Sequence, residues 1–309
     1  MFNSKKFKNC RIAALTVAIA ILLCINPATV CAGGYITQSI SVRSDNSPLR
    51  IGGGDMFIAA DTAAKGETFT AQSHYVDASG KVWFEVERGG RRLWLAKDNC
   101  IITNSLQKIP VREFSRENPP TIYLSPSRQP HNAYAVGGTN EMEQMEALTA
   151  VTADILREKY GFKVYVAPSY MRIIKSGRPS DALRKGCDVY LAIHSNATAS
   201  GKKCSGAEGY YYSGSEQSKQ LAENIVRELN DVSDYLPVNS AGAVNAMESF
   251  DNFGYGEVRD PSDLGMIAVL AEVDYHDNPD TAKMIINQRQ RIAEALAKAI
   301  AETFYMGIP

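Results

Sequence analysis

Histidine, tryptophan and cysteine are scarce in this 309-residue sequence: four, two and six residues respectively. So few histidines mean that each can be weighed singly as a metal ligand or proton carrier. Neither sign of charge is in excess, with 33 Lys and Arg against 34 Asp and Glu, which argues against a dedicated nucleic-acid binder. The 45% hydrophobic and 22% charged composition is that of an ordinary globular protein, not of a long disordered tract, a collagen or a multi-span membrane protein. No repeat or low-complexity tract stands out. The longest apolar run, residues 12–25, is 14 residues, short of the roughly 20 that a spanning helix needs.

That run has a context. Lys5, Lys6, Lys8 and Arg11 precede it without any acid, and Val30-Cys31-Ala32 follows with small residues at both positions a signal peptidase reads. A basic segment, a short apolar core and a V-x-A site describe a secretory leader over residues 1–32. Its removal takes four positive charges and leaves a net charge near −5. It also removes Cys10, Cys24 and Cys31, so Cys100, Cys187 and Cys204 remain. Three scattered cysteines in an exported chain make no disulfide scaffold. Cys187 and Cys204 are the only pair close enough in sequence to suggest one bridge.

Two domains are expected beyond the leader. Residues 33–104 alternate short apolar stretches with turn chemistry such as Ser44-Asp45-Asn46-Ser47-Pro48 and Asp77-Ala78-Ser79-Gly80. VWFEVERGGRRLWLA reads as a hairpin about Gly89-Gly90. The pattern predicts a small all-β barrel with Trp83 and Trp94 in its core. Residues 105–120, polar, aperiodic and ending in Pro119-Pro120, read as a linker. From 121 to 309, continuous apolar strands (TIYLS, FKVYVA, DVYLAIHSNA, AEGYYY, GMIAVLAEVDY) alternate with helical periods. Helices are expected over Glu141–Lys159, Pro179–Lys185 with Ser180 as cap, Ser215–Leu229 and Pro279–Thr303. This predicts an α/β fold: a twisted, mostly parallel sheet flanked by helices, preceded by a small all-β SH3-like barrel.

The chemistry gathers where parallel strands end. His194 closes YLAIHSNA, at the carboxyl edge where open α/β sheets collect their ligands. Glu272 sits in the apolar run VLAEVDYHDNP, and a buried acid is costly unless paired, protonated or metal-bound. A histidine beside a glutamate suits metal-assisted hydrolysis, with the histidine on the ion and the glutamate taking a proton from the attacking water. Glu141 opens the first long helix after Gly137-Gly138-Thr139-Asn140, where an acid can also simply complement the helix dipole.

TNEMEQ, DVYLAIHSNA and VLAEVDYHDNP, in that order along the chain, resemble the zinc-dependent N-acetylmuramoyl-L-alanine amidases from Thr121 to about Phe304. SVRSDNSP, KGETFTA and WFEVERGG with WLAKDN resemble a bacterial SH3-type cell-wall domain. The first resemblance implies a peptidoglycan hydrolase that cuts between N-acetylmuramic acid and L-alanine. It implies Glu272 as catalytic base, Glu141 and His194 as Zn²⁺ ligands, and Asn196 and Asn278 near substrate. It further implies a secreted, wall-associated monomer with peptidoglycan as partner, no nucleic acid and no lasting membrane insertion. One motif departs from the family. Where the first strand runs into Asp-Pro-Gly-His-Gly, this chain reads YLSPSRQPHNAY, with Arg128 in the histidine's place. His131 is the expected replacement ligand, with Gln129 and His276 as the other choices; His74 has no partner carboxylate near it in sequence. Two further readings are a wall-binding relative that has lost the full zinc site, and a zinc peptidase acting within the stem peptide.

Overall fold

The computed structural model describes residues 34–103, 108–198, 204–233, 238–249 and 254–305, with side chains from Ser39 onward. The expected leader lies outside the described residues. Among them no helix is long and apolar enough to cross a membrane. The chain divides into two compact units, Met1–Asn104 and Ser105–Pro309.

The first unit is all β. Its strands are β1 (Gly34–Val42), β2 (Ser47–Arg50), β3 (Ala59–Ala63), β4 (Thr68–Val76), β5 (Val82–Arg88), β6 (Arg91–Ala96) and β7 (Cys100–Ile102). They pair antiparallel in the order β3-β2-β6-β5-β4-β1-β7. The β5–β6 hairpin turns on Gly89 (φ 59°) and Gly90 (φ 73°), two successive left-handed residues as the tightest hairpin turns require. Trp83 is core, with Phe84, Val86, Leu93, Leu95, Leu49 and Ile40, and its indole N–H donates to Asp77 at 2.9 Å. Trp94 is only partly buried and meets Tyr75 edge-on, and His74 is half-buried in β4. Among the described strands β3 and β7 are the two edges and do not pair with each other. Strand pairing therefore yields the expected small all-β unit but leaves its sheet open.

The second unit is the α/β domain. Its strands are β8 (Thr121–Pro126), β9 (Lys163–Val166), β10 (Val189–Asn196), β11 (Glu208–Tyr211), β12 (Gly242–Asn245) and β13 (Ile267–Tyr275). Its helices are α1 (Glu141–Glu158), α2 (Arg178–Arg184), α3 (Glu216–Val232), α4 (Gly256–Ser262), α5 (Pro279–Asn287) and α6 (Arg289–Phe304). The sheet order is β12-β11-β13-β10-β8-β9. All neighbours are parallel except β11 and β13, which run antiparallel.

Alternation along the strands separates two apolar layers. Ile122, Leu124, Val189, Leu191, Ile193, Ile267 and Val269 face one core with α1, α3, α5 and α6. Tyr123, Tyr190, Ala192, Ala268 and Leu270 face the other, with Ala182 of α2 and Val258 of α4. Both faces are thus buried, which is why the strands read as unbroken apolar runs.

Two helices differ from expectation. The C-terminal helix is two helices, because Gln288 leaves helical geometry (φ −111°, ψ 25°) between α5 and α6. Helix α2 starts at Arg178 after Gly177 and has no side-chain cap; Ser180 instead donates to Lys175 O at 2.6 Å. Residues 109–114 of the stretch read as a linker are held to this unit. Ile109 N–H donates to Gly214 O (2.8 Å), Arg112 pairs with Asp188 (2.9 Å), and Phe114 meets Phe304 edge-on. The three cysteines are free thiols, so Cys187 and Cys204 form no bridge.

Candidate active site

The sheet's carboxyl edge assembles the site. His194 and Glu272 are register partners on adjacent parallel strands, and Glu272 is also the register partner of Glu208 on β11. Register partners point to the same side of a sheet, so three ionisable side chains stand in a row across β10, β13 and β11. They fall on the face of Tyr190, Ala192, Ala268 and Leu270, the face that α4 covers.

His194 is buried between two carboxylates. Nδ1 lies 3.0 Å from Glu141 Oε1 and Nε2 lies 2.8 Å from Glu257 Oε2. Burial disfavours the charged ring, but hydrogen bonds to Glu141 and Glu257 outweigh it and raise its pKa well above the ordinary value. Burial likewise opposes ionisation of Glu141 and Glu257, and His194 reverses it, holding both below the ordinary glutamate value. Two carboxylates thus clamp the ring, one at each nitrogen, and favour its charged form.

Each clamp is itself held. Asn140 caps α1 by accepting from Glu143 N–H (3.0 Å), which places Glu141 in the first turn. Glu141 Oε2 accepts from Asn132 Nδ2 (2.7 Å), and that amide also donates to Gln129 Oε1 (2.7 Å). Gln129 Nε2 in turn lies 3.3 Å from His194 Nδ1. On the other side, Glu257 Oε1 accepts from Ser125 Oγ (2.7 Å) and the Tyr190 hydroxyl (3.1 Å). Fully buried Arg178 donates to Ser125 Oγ (2.9 Å) and Pro126 O (2.5 Å).

Glu272 is different. It keeps some exposed surface, yet its Oε2 is buried and has no hydrogen-bond partner among the described residues. Burial pushes its pKa up to about 7; His194 opposes the rise, and Glu141, Glu208 and Glu257 add to it. A carboxyl poised near neutrality is suited to accept and return a proton. Glu208, by contrast, is saturated by Tyr210 OH (2.6 Å), Tyr275 OH (2.7 Å), Asn196 Nδ2 (3.1 Å) and Ala241 N–H (3.1 Å).

The remaining expected residues fall around this core. His131 is exposed on the loop after β8. Among the described residues no three His, Cys, Asp or Glu side chains converge as a metal-holding group, so His131 does not complete a set with Glu141 and His194. His276 is buried, stacked on Tyr134 (5.2 Å between ring centres), with Nδ1 2.7 Å from Ser195 O. Asn196 is engaged by Glu208, and Asn278 caps α5 by accepting from Asp280 N–H (3.1 Å) while donating to Cys204 O (2.8 Å). The sequence reading missed Glu257 and Arg178. Glu257 sits on a seven-residue helix that carries Pro261, too short for a helical period to show.

A model of the N-acetylmuramoyl-L-alanine amidase family matches residues 122–302, more than half of the chain. The chain belongs to that family. The amidase match spans β8 to α6 and so includes every residue of the site just described. Solved structures to which the chain is similar include three amidases. One is AmiC2 of Nostoc punctiforme (20% identity, 59% of this chain and 95% of that one, TM-score 0.48). A second is from Clostridium difficile 630 (20%, 59% and 95%, 0.48). The third is the CwlV catalytic domain from Bacillus (Paenibacillus) polymyxa var. colistinus (19%, 59% and 97%, 0.47). No curated protein matches the chain significantly.

Two donors fit the zinc ion that amidases of this family generally use. Glu141 Oε1 and His194 Nδ1 face each other at 3.0 Å. Carboxylate oxygen and neutral imidazole nitrogen are both donor types that zinc takes, so these two residues would hold the ion once Nδ1 carries no proton. Glu257 on the far nitrogen of His194 is the carboxylate partner that commonly orients a metal-binding imidazole.

Proposed function

We propose that this chain is a secreted peptidoglycan hydrolase that cleaves the amide between N-acetylmuramic acid and L-alanine. The observation that supports it best is the in-register pair His194–Glu272, with Glu141 against His194 and an unpartnered Glu272 oxygen beside them. In this reading Glu141 and His194 hold Zn²⁺, which when bound polarises the lactyl carbonyl and makes water more acidic. Glu272 takes the proton from the attacking water through its free oxygen and delivers it to the leaving nitrogen of L-alanine. Glu257, fixed by Ser125 and Tyr190, keeps the His194 ring oriented with Nδ1 toward Glu141. Asn196 and Asn278 are assigned to the substrate, as the family resemblance implies. Residues 1–32 direct export, the all-β unit positions the enzyme on the wall as an SH3-type module, and the protein works as a monomer outside the cytoplasm.

Digestion of purified peptidoglycan tests this reading. Wild type should release peptides with a free L-alanine amino group, and Glu272→Gln should release none. A second reading, wall binding without cleavage, is favoured by Arg128 standing where the family's first histidine belongs. Sedimentation of the protein with intact wall material that it leaves uncut would establish that reading instead.

A further inference from the structure

We propose that Arg128 is a specificity-determining residue whose guanidinium receives a carboxylate of the stem peptide beside the scissile amide. The inference rests on the hydrolase reading above, which supplies the substrate.

Position comes first. Arg128 lies in the loop after β8, between two residues that reach the end of β10. Ser127 N–H donates to Ile193 O (2.9 Å), and the Gln129 amide lies 3.3 Å from His194 Nδ1. The loop therefore holds Arg128 at the sheet edge that carries His194. The residue keeps part of its surface in solvent, so a ligand can reach it.

Its charge is unspent. Among the described residues Arg128 forms no ion pair, and its Nε is buried without a hydrogen-bond partner. The cations about α2 and α4 are committed instead, Lys175 to Asp263 (2.9 Å) and Arg259 to Asp260 (2.8 Å). Arg178 donates to Ser125 Oγ, Pro126 O and Met171 O. Three of the site's carboxylates are spoken for as well. Glu141 and Glu257 hold His194, and Glu208 is saturated by two tyrosine hydroxyls, Asn196 and a backbone N–H. Burial holds Arg178 below the ordinary arginine pKa, and the charge of Arg128 adds to the lowering, so the two cations stand within electrostatic reach. A buried donor left unpaired is costly, and a second cation nearby adds to the cost. An incoming anion relieves both.

A guanidinium presents its donors in a planar fork that matches a carboxylate. The bond to be cut joins the lactyl group of N-acetylmuramic acid to L-alanine, so in intact substrate that lactyl carboxyl is an amide. The carboxylates near the bond therefore belong to the stem peptide, which continues from L-alanine into an acidic residue. Cleavage frees another, the lactyl carboxylate of the product.

Calorimetric titration of the full chain with N-acetylmuramoyl-L-alanyl-D-glutamate and with its diamide tests the assignment. Both are measured in a Glu272→Gln background so that neither is cut, with thermal unfolding confirming that each variant is folded. The acid should bind at least about tenfold more tightly than the diamide. Adding Arg128→Ala should erase that preference, and Arg128→Lys, which keeps the charge without the fork, should retain part of it. No preference to begin with, or a preference that survives Arg128→Ala, would overturn the assignment. Free N-acetylmuramic acid separates the two carboxylate sources. If Arg128→Ala weakens it while the dipeptide preference stays, Arg128 holds the product's lactyl group and the peptide assignment is wrong. Turnover of the same dipeptide by wild type is read separately. A preference that depends on Arg128 without any cutting would remove the hydrolase reading and keep the carboxylate site; cutting without such a preference would do the reverse.

Discussion

Replacing Glu272 by glutamine should stabilise the α/β unit above neutral pH and leave it nearly unchanged in acid. The carboxyl has a folded pKa of about 7 against an ordinary 4.5, so between those values the native state holds a proton that the unfolded chain has released. Stability therefore falls as pH rises through that window, and the loss is complete once Glu272 ionises above pH 7. The gap corresponds to at most about 3 kcal/mol, and glutamine, which never ionises, escapes it. For a unit of this size 1 kcal/mol moves the melting midpoint by roughly 2–4 °C, so the variant should gain up to about 6–12 °C over wild type at pH 8. At pH 4.5 the two should melt within a degree or two. The measurement is thermal unfolding followed by circular dichroism from pH 4.5 to 8, in chelator so that no bound cation offsets the carboxylate. Asp274, raised by burial to about 6, bends both curves alike and drops out of the difference. Parallel curves across this range would show that Glu272 ionises normally and is not the poised base.

Removing the Glu257 carboxylate should do more damage. Glu257→Ala leaves His194, Ser125 and Tyr190 without their shared acceptor in a buried site and should cost about 3–5 kcal/mol by chemical denaturation. Glu257→Gln, which keeps an acceptor oxygen, should cost less and still weaken zinc by about tenfold or more. The thiols should react in order of access: burial pushes Cys100 and Cys187 up to about 12, so a thiol reagent should label the more accessible Cys204 first, and intact mass should show no disulfide. Tyr190→Phe, which removes one of two hydroxyl donors to Glu257, should destabilise by about 1 kcal/mol in the same denaturation assay.

Much of this was legible in the residues because periodicity and burial coincide. Unbroken runs such as DVYLAIHSNA could only be strands covered on both faces, and their ends named His194 and Glu272. Asn140 before Glu141 marked the helix start that brings an acid to the same edge. What escaped were features set by contacts distant in sequence. Glu257 reaches His194 from 63 residues away on a helix too short to show a period. The break at Gln288 lies inside a continuous helical pattern. The supposed linker lacked periodicity because it is bound by individual anchors, Ile109, Arg112 and Phe114, which leave no pattern in a sequence. In the loop after β8 the side chain against His194 is that of Gln129, a contact that residue type did not announce.

The most direct test of the account is mass spectrometry of purified peptidoglycan after digestion by wild type and Glu272→Gln with zinc present. The account predicts stem peptides beginning at L-alanine, with uncut glycan strands, from wild type only. Equal release by both proteins, or cleavage within the stem peptide, would contradict it.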